Sequence, residues 1–181
     1  MRLFLLALFA ALLAPPALAT DDRPILEVLQ GFYGAVIAKQ FDAMPTPAQR
    51  DKLAAWLSPQ LIDWLKRAAA MEQRCIATTP AGDKPNIFEG DLFSGIYEGP
   101  SEAGYGKVRR NGQSASVEVD LAFISDEVPK AHPHRAVFRK NRVELRNIDG
   151  QWRISDIRFN RRQSLLGGLQ EYHVFGQRHC R

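Results

Sequence analysis

The sequence predicts an α+β domain in which N-terminal helices pack on one face of a curved, four-stranded antiparallel sheet. Three observations predict this class. Apolar residues recur at helical spacing in the first half, the period changes to two after residue 105, and short turn signals separate the later strands. The chain has 181 residues, of which 45% are hydrophobic, and a formal net charge of +4. This balance suits one folded domain with a substantial core.

Residues 1–19 have the order of a secretory signal. A positive start at Arg2 precedes an apolar run over 3–13, and an Ala-Leu-Ala sequence ends at Ala19. The alternative is a transmembrane anchor, but a spanning helix needs about 20 apolar residues and this run is shorter. We therefore expect cleavage after Ala19, a periplasmic or secreted location without stable membrane insertion, and a single α+β domain over residues 20–181.

The two cysteines, Cys75 and Cys180, are expected to form a disulfide. Export would place them in an oxidising compartment, where paired cysteines tend to join. Such a bond would also hold the C-terminus in place. Two free thiols, or a bond between chains at Cys180, remain alternatives because the sequence gives no distance between the residues.

Three helices are predicted in the first half. Residues 24–39 carry an apolar stripe at helical spacing, and Asp22 is placed to cap that helix. Thr46 followed by proline starts a second helix that reaches about Leu57, and Ser58 followed by proline starts a third. We expect the third helix to end before Cys75.

Residues 76–103 lack a regular period and are punctuated by glycine and proline. A structureless loop of this length is uncommon inside a compact domain. The segment is therefore either functional or contains a short element. Two apolar pairs, Ile87-Phe88 and Leu92-Phe93, are expected to anchor it to the core.

The second half predicts a meander of four strands. The second strand alternates most clearly, with its apolar side chains from Ala115 to Phe123 on one face. The Asn111-Gly112 pair predicts a type I′ turn before it, and Asp149-Gly150 predicts a second tight hairpin. A change of phase near Ser155-Asp156 predicts a β-bulge. The expected strands cover residues 105–110, 115–123, 136–147 and 151–159, and a short closing helix follows around 165–172.

Three short sequences together resemble a known fold. They are FYG at 32–34, LSPQL at 57–61 and DGQWRISDIRF at 149–159. The chain resembles the cystatin-like, nuclear-transport-factor-two-like fold, and more narrowly a family of exported bacterial domains of unknown function. The resemblance implies a curved sheet wrapped by helices around a cone-shaped cavity. It implies no catalytic residue.

The inward positions of the clearest strand carry no ionisable group, so we predict no catalytic residue. Asp156, beside the proposed bulge, is a candidate to turn inward, and Tyr33 is a candidate to face it from the first helix. We name both as ligand-binding candidates. The alternative is that Asp156 satisfies an amide of the bulge or pairs with Arg158 or Arg162.

Trp64 and Tyr97 complete the set of ligand-binding candidates. Trp64 lies off the best apolar stripe of its helix, and Tyr97 lies in the segment rich in glycine. Exposed aromatic side chains near such a segment suit a binding surface. The alternative for both is ordinary packing at the boundary of the core.

Metal, cofactor and nucleic-acid functions are not predicted. His132 and His134 have the spacing of two ligands on an extended segment, but no third ligand lies nearby, and a solvated loop is the alternative. No basic stripe with interleaved aromatic residues indicates nucleic acid. Five late arginines could meet an acidic partner or an anionic membrane, or form a solvated face: Arg158, Arg161, Arg162, Arg178 and Arg181.

The first functional hypothesis is therefore a non-catalytic binding domain. It would use the mouth of the cone and residues 76–103 to hold a small ligand or an envelope protein. An immunity or inhibitor protein that blocks a toxin or hydrolase is a specific form of this hypothesis. The alternative is an isomerase- or lyase-type enzyme acting in the cavity. A homodimer that pairs through the open sheet is a third expectation.

Overall fold

The computed structural model describes residues 21–41, 43–125, 127, 129, 132 and 135–181, so the predicted signal lies outside the described residues. The described chain forms four helices and five strands. In chain order they are α1 (Arg23–Ile37), α2 (Pro47–Leu53), α3 (Pro59–Thr78), β1 (Glu102–Tyr105), β2 (Arg109–Asn111), β3 (Ser114–Ile124), β4 (Ala136–Ile148), β5 (Gln151–Arg158) and α4 (Leu165–His179). Within these ranges, no helix combines the length and apolarity needed to span a bilayer.

The predicted helix starts are largely confirmed. Thr46 and Gln49 form a reciprocal capping box at α2, and the Ser58 hydroxyl accepts the Leu61 N–H at α3. Asp22 occupies the N-cap position of α1 but makes no cap hydrogen bond with its side chain. Its carboxylate instead lies 2.9 Å from Nε of Arg110, so the predicted capping role is wrong.

Two predicted helix ends are wrong. Helix α2 ends at Leu53, and residues 54–56 form a turn rather than continuing the helix to Leu57. Helix α3 continues through Cys75 to Thr78. Its last turns contain mostly good helix formers, and the first strong breaker is Pro80, which disfavours helical geometry at the residue before it.

The sheet is antiparallel and open, with the order β1-β3-β4-β5. Strand β2 also pairs with β3, so the sheet has five strands rather than the predicted four. The expected first strand at 105–110 is in fact two short strands on one edge of β3, separated at residues 106–108. Gly106 lies against the backbone of Glu118 and donates its N–H to the Glu118 carbonyl at 2.8 Å.

Both predicted hairpins and the bulge are present. Asp149 and Gly150 have φ values of 51° and 84°, as a type I′ turn requires. The other turn sits one residue later than expected, at 112–113; Gly112 has a φ of 58° but Gln113 does not have a positive φ, so this turn is not type I′. Ser155 is the extra residue of the bulge, because Leu145 pairs with Ile154 and Glu144 with Asp156.

The core lies between the helices and one face of the sheet. Alternate residues of β3, β4 and β5 are buried there against the apolar faces of α1, α3 and α4. The buried strand residues include Val117, Val119, Leu121, Val143, Leu145, Ile154 and Ile157. None of the four described helices lies on the opposite face of the sheet, which carries many charged side chains. Fold class and core face therefore agree with the prediction.

Cys75 and Cys180 form the predicted intrachain disulfide, with an S–S distance of 2.01 Å. The bond joins the C-terminal ends of α3 and α4, which lie side by side. Helix α4 is longer than the short closing helix that we expected. Gly176 permits close packing of the two helices, because a Cβ there would lie 2.3 Å from Cγ of Met71.

Candidate functional site

Residues 79–101 form no helix or strand, yet they are fixed to the helices near Phe88. The buried Glu72 carboxylate accepts the Phe88 N–H at 2.7 Å. The Tyr172 hydroxyl donates to the Asn86 carbonyl at 2.7 Å, and the rings of Phe88 and Tyr172 lie 4.5 Å apart. Phe88 is thus an anchor, as predicted.

The same segment sends Phe93 and Ile96 into the interior. Phe93 is 1% exposed, and its ring packs edge-on against Phe32 of α1 at 5.4 Å and against Phe41 at 5.9 Å. Ile96 is also buried in the core. Side chains of the segment therefore occupy space beneath α1, where the resemblance implied a cavity.

A small cluster of polar residues, Tyr33, Ser94 and Asn141, is buried beside these apolar side chains. The Asn141 amide donates to the Ser94 carbonyl at 2.9 Å. The Tyr33 hydroxyl and Asn141 Oδ1 make no hydrogen bond to another described residue, although both residues are almost completely buried. Burial raises the pKa of the Tyr33 phenol well above its ordinary value, and the nearby Asn141 amide opposes this only in part.

Asp91 organises the turn that leads into the interior. Its Oδ1 accepts the N–H groups of Phe93 at 3.0 Å and of Ser94 at 2.6 Å. Burial raises the pKa of the Asp91 carboxyl, and the two amide hydrogen bonds oppose that rise. A cleft of about 150 Å³ lies beside this turn, and Val36, Lys39, Phe41, Gly90, Asp91, Tyr97, Glu98 and Gly99 line it.

Tyr97 stands at the edge of this cleft and is 66% exposed. Its ring rests on Gly90, where a Cβ would lie 2.7 Å from the ring. Gly90 also has a φ of 70°, which favours glycine. The Tyr97 carbonyl accepts the Asp91 N–H at 2.9 Å, so both backbone and ring are held in place. We call residues 88–99 the mouth segment.

Comparison with known proteins identifies no relative of this chain. No family model, curated protein or solved structure matches the chain. The family resemblance noted from the sequence therefore stays a prediction.

Trp64 and Asp156 lie away from the mouth segment. Trp64 is half-buried on α3, where its ring is 5.9 Å from the His173 ring of α4 and 5.3 Å from the Arg67 guanidinium. Oδ1 of Asp156 accepts the N–H groups of Ile157 at 2.8 Å and Leu166 at 2.9 Å. Asp156 therefore satisfies amides at the bulge and the start of α4.

The four predicted ligand-binding residues thus do not form one site. Tyr33 is in the interior, Tyr97 is at the mouth, Trp64 is on the helix surface and Asp156 is at the edge strand. Among the residues described, no three His, Cys, Asp or Glu side chains group as metal ligands. His134, half of the predicted histidine pair, lies outside the described residues.

The uncovered face of the sheet is a second candidate; the sequence predicted it only as a surface for homodimer pairing, with Arg158 and Arg161 among the arginines that could meet a partner. A groove of about 630 Å³ crosses it, lined by charged residues of β3, β4 and β5 and by residues 159–161. A neighbouring cavity of about 260 Å³ shares Arg142 and Glu144 with the groove. The alternation of charged residues in the strands was visible in the sequence, but which of them meet depends on the register.

Proposed function

We propose that this protein is a periplasmic or secreted, non-catalytic binding domain that engages a partner through its mouth segment. Tyr97 carries the proposal, because a large aromatic side chain stands exposed on a backbone that is fixed on several sides. We also propose the cystatin-like, nuclear-transport-factor-two-like assignment for its fold, which the order of helices followed by an antiparallel meander supports.

A fixed, exposed aromatic residue is well suited to binding. Tyrosine is enriched among the residues that dominate interface energies. A preorganised side chain also loses less conformational freedom on association, so more of the contact energy appears as affinity. The Phe88 anchor, the buried Phe93 and the Gly90 contact supply that preorganisation for Tyr97.

The size of the cleft favours a protein partner over a free small ligand. Pockets for drug-sized ligands enclose about 300–1,000 Å³. The cleft beside Tyr97 encloses about 150 Å³, which suits a single inserted side chain better. Lys39 and Glu98 at its rim add charges of both signs, as expected for the polar border of a protein interface.

The disulfide supports an extracytoplasmic setting for this interaction. Structural disulfides persist mainly in oxidising compartments. The partner would then be an envelope protein, and an immunity or inhibitor protein directed against a toxin or hydrolase is the form that we favour. A small ligand held at the same mouth is the remaining version of this hypothesis.

One observation favours the alternative, an isomerase- or lyase-type enzyme. Two polar atoms lie unpaired in a dry interior among the described residues: the Tyr33 hydroxyl, which can donate to developing negative charge, and Asn141 Oδ1, which can only accept a hydrogen bond. A substrate would have to displace Phe93 to reach them. Binding of candidate carbonyl substrates to a Phe93→Ala variant, but not to a Phe93→Ala, Tyr33→Phe variant, would support this enzyme.

The test of the binding proposal compares two exposed aromatic residues. Phe138 is 69% exposed on the uncovered sheet face and is a matched control for Tyr97. The mature domain and its Tyr97→Ala and Phe138→Ala variants are immobilised and exposed to envelope extract. The retained protein is then identified, purified and titrated against each variant by calorimetry.

We expect Tyr97→Ala to weaken one-to-one binding by about 30-fold or more, equivalent to about 2 kcal/mol, as for a central interface residue. Phe138→Ala should bind as the wild type does. Equal affinity for the wild type and Tyr97→Ala would contradict the proposal. So would a loss confined to Phe138→Ala, which would place the interface, or a homodimer contact, on the sheet face.

A further inference from the structure

On the uncovered sheet face, the strand register determines which side chains are cross-strand neighbours. Arg109 of β2 lies opposite Ser116 of β3, and Ser114 lies opposite Arg146 of β4. Arg146 in turn lies opposite Arg153 of β5. Residues directly opposite on one face have Cβ atoms about 4.5–5.5 Å apart, so these groups are close neighbours.

The same face shows how the protein accommodates one pair of like charges. Arg142 lies opposite Arg158 across β4 and β5, an arrangement that is unfavourable by itself. Glu118 pairs with Arg142 at 3.5 Å, and Glu144 pairs with Arg158 at 2.5 Å. Two carboxylates therefore compensate these two guanidinium groups.

The Arg146 and Arg153 pair has no such compensation. Within the described residues, Arg153 donates to the Trp152 carbonyl and to the Gln151 side chain and to no carboxylate. In the described part of the chain, neither Arg146 nor Arg109 pairs with a carboxylate; Glu144, which lines the same cavity, is engaged by Arg158. Positive charge thus accumulates at this end of the face without a protein counter-charge.

Hydroxyl groups lie between these arginines. Ser114 and Ser116 are next-but-one neighbours on β3, so both point to the uncovered face. Neither side chain makes a hydrogen bond to another described residue. Arg109, Ser114, Ser116, Arg142 and Arg146 line one cavity of about 260 Å³ together with Glu144, whose carboxylate is paired with Arg158. Cationic and hydroxyl donors therefore converge on a single open space.

We propose that this cavity, which we call the arginine–serine site, binds the phosphate group of an organic phosphate. Arg109 and Arg146 would approach the phosphate from opposite sides, and the Ser114 and Ser116 hydroxyls would donate from below. Charge-assisted hydrogen bonds from arginine are stronger than neutral ones and suit phosphate oxygens. The ligand would supply the counter-charge that Arg109, Arg146 and Arg153 lack among the described residues, since Glu118 and Glu144 are paired with Arg142 and Arg158.

The arrangement favours a tetrahedral oxyanion over a planar carboxylate. A carboxylate takes two parallel bonds from one guanidinium in one plane. Here the donors come from three strands and so from several directions. A phosphate group offers oxygens in as many directions, and its second negative charge matches the surplus of arginines.

The test uses inorganic phosphate as the probe. The mature domain is titrated while its backbone amide signals are followed by NMR. We expect saturable shifts centred on residues 109–116 and 142–146. Arg146→Gln and Arg109→Gln should each weaken the apparent affinity by about tenfold or more, because each removes a charge-assisted contact. Arg74→Gln is the matched control, since Arg74 is an exposed arginine of α3, and it should leave the affinity unchanged.

Two further arms define the source and the geometry of the anion. Binding to phosphatidic acid vesicles, whose headgroup is a phosphate monoester, would support the site with a lipid headgroup as its ligand if Arg146→Gln abolishes it. Binding to free phosphate without vesicle binding would support it with a soluble phosphate. Succinate binding as tight as phosphate, an absence of saturable shifts, or an equal loss in Arg74→Gln would overturn the proposal.

Discussion

Removal of the Cys75–Cys180 disulfide should strongly destabilise the domain. The bond closes a loop across a sequence separation of 105 residues. The chain-entropy relation for a loop of about this length gives about 4.7 kcal/mol at 25 °C, and measured values are commonly about 2–4 kcal/mol. For a domain of this size, such a loss would lower the melting temperature by about 5–20 °C.

Urea unfolding of the oxidised domain and of the Cys75→Ala, Cys180→Ala variant measures this loss. Reduced wild-type protein is the control, because it keeps both sulfur atoms beside Met71 and Gly176 while it loses the cross-link. The two cross-link-free forms should show similar losses if the constraint on the unfolded chain dominates. A loss below about 1 kcal/mol in both forms would refute the reasoning.

Three further changes test the packing and electrostatics around the proposed sites. Asp156→Ala should lower the free energy of unfolding by about 1–3 kcal/mol, because two N–H groups, at the bulge and at the start of α4, lose their acceptor. Asp156→Asn keeps an acceptor oxygen and should lower it by less. Equal losses of the two variants in urea unfolding would show that Asp156 does not act as the acceptor of these N–H groups. Gly176→Ala should lower the free energy of unfolding by about 1–3 kcal/mol, because the added methyl group crowds Met71. The same substitution made in a Met71→Ala variant should lower it by less. An equal loss in both backgrounds would show that the contact with Met71 is not the cause. Burial raises the pKa of Asp91 in the folded state. The protonated carboxyl therefore adds to the wild-type free energy of unfolding at low pH, and this contribution is lost as the pH rises through that pKa. Asp91→Asn removes this contribution, so the free energy of unfolding of the variant minus that of the wild type should increase with pH. Urea unfolding at a series of pH values measures this difference, and a difference that does not change with pH would contradict the prediction.

Local patterns explain why much of the fold was predictable. The capping box at Thr46 and the type I′ turn at Asp149-Gly150 depend on neighbouring residues alone. The bulge at Ser155 was visible as a change of phase within one strand. The core face of β3 followed from strict alternation of apolar and polar side chains.

The errors arise where distant parts of the chain decide the outcome. The split of the first strand at residues 106–108 depends on how Gly106 packs against Glu118 of another strand. Asp22 failed as a cap because Arg110, far along the chain, pairs with its carboxylate. The predicted anchor Phe93 is confirmed, but nothing local showed that it would fill the space beneath α1.

The candidate sites were less predictable for the same reason. Tyr97 was identified from its surroundings rich in glycine, and the structure places it at a cleft. The arginine–serine site needed the strand register, since Arg109, Arg146 and the two serines come from three separate strands. Sequence spacing alone does not bring them together.

Hydrogen exchange of the domain with and without its purified partner tests the central claim most directly. Backbone amides of the mouth segment, and above all those next to Tyr97, should exchange more slowly in the complex. Amides of β3 and β4 should be unaffected if the uncovered face stays free. Protection that appears on those strands and leaves residues 88–99 unchanged would contradict the account.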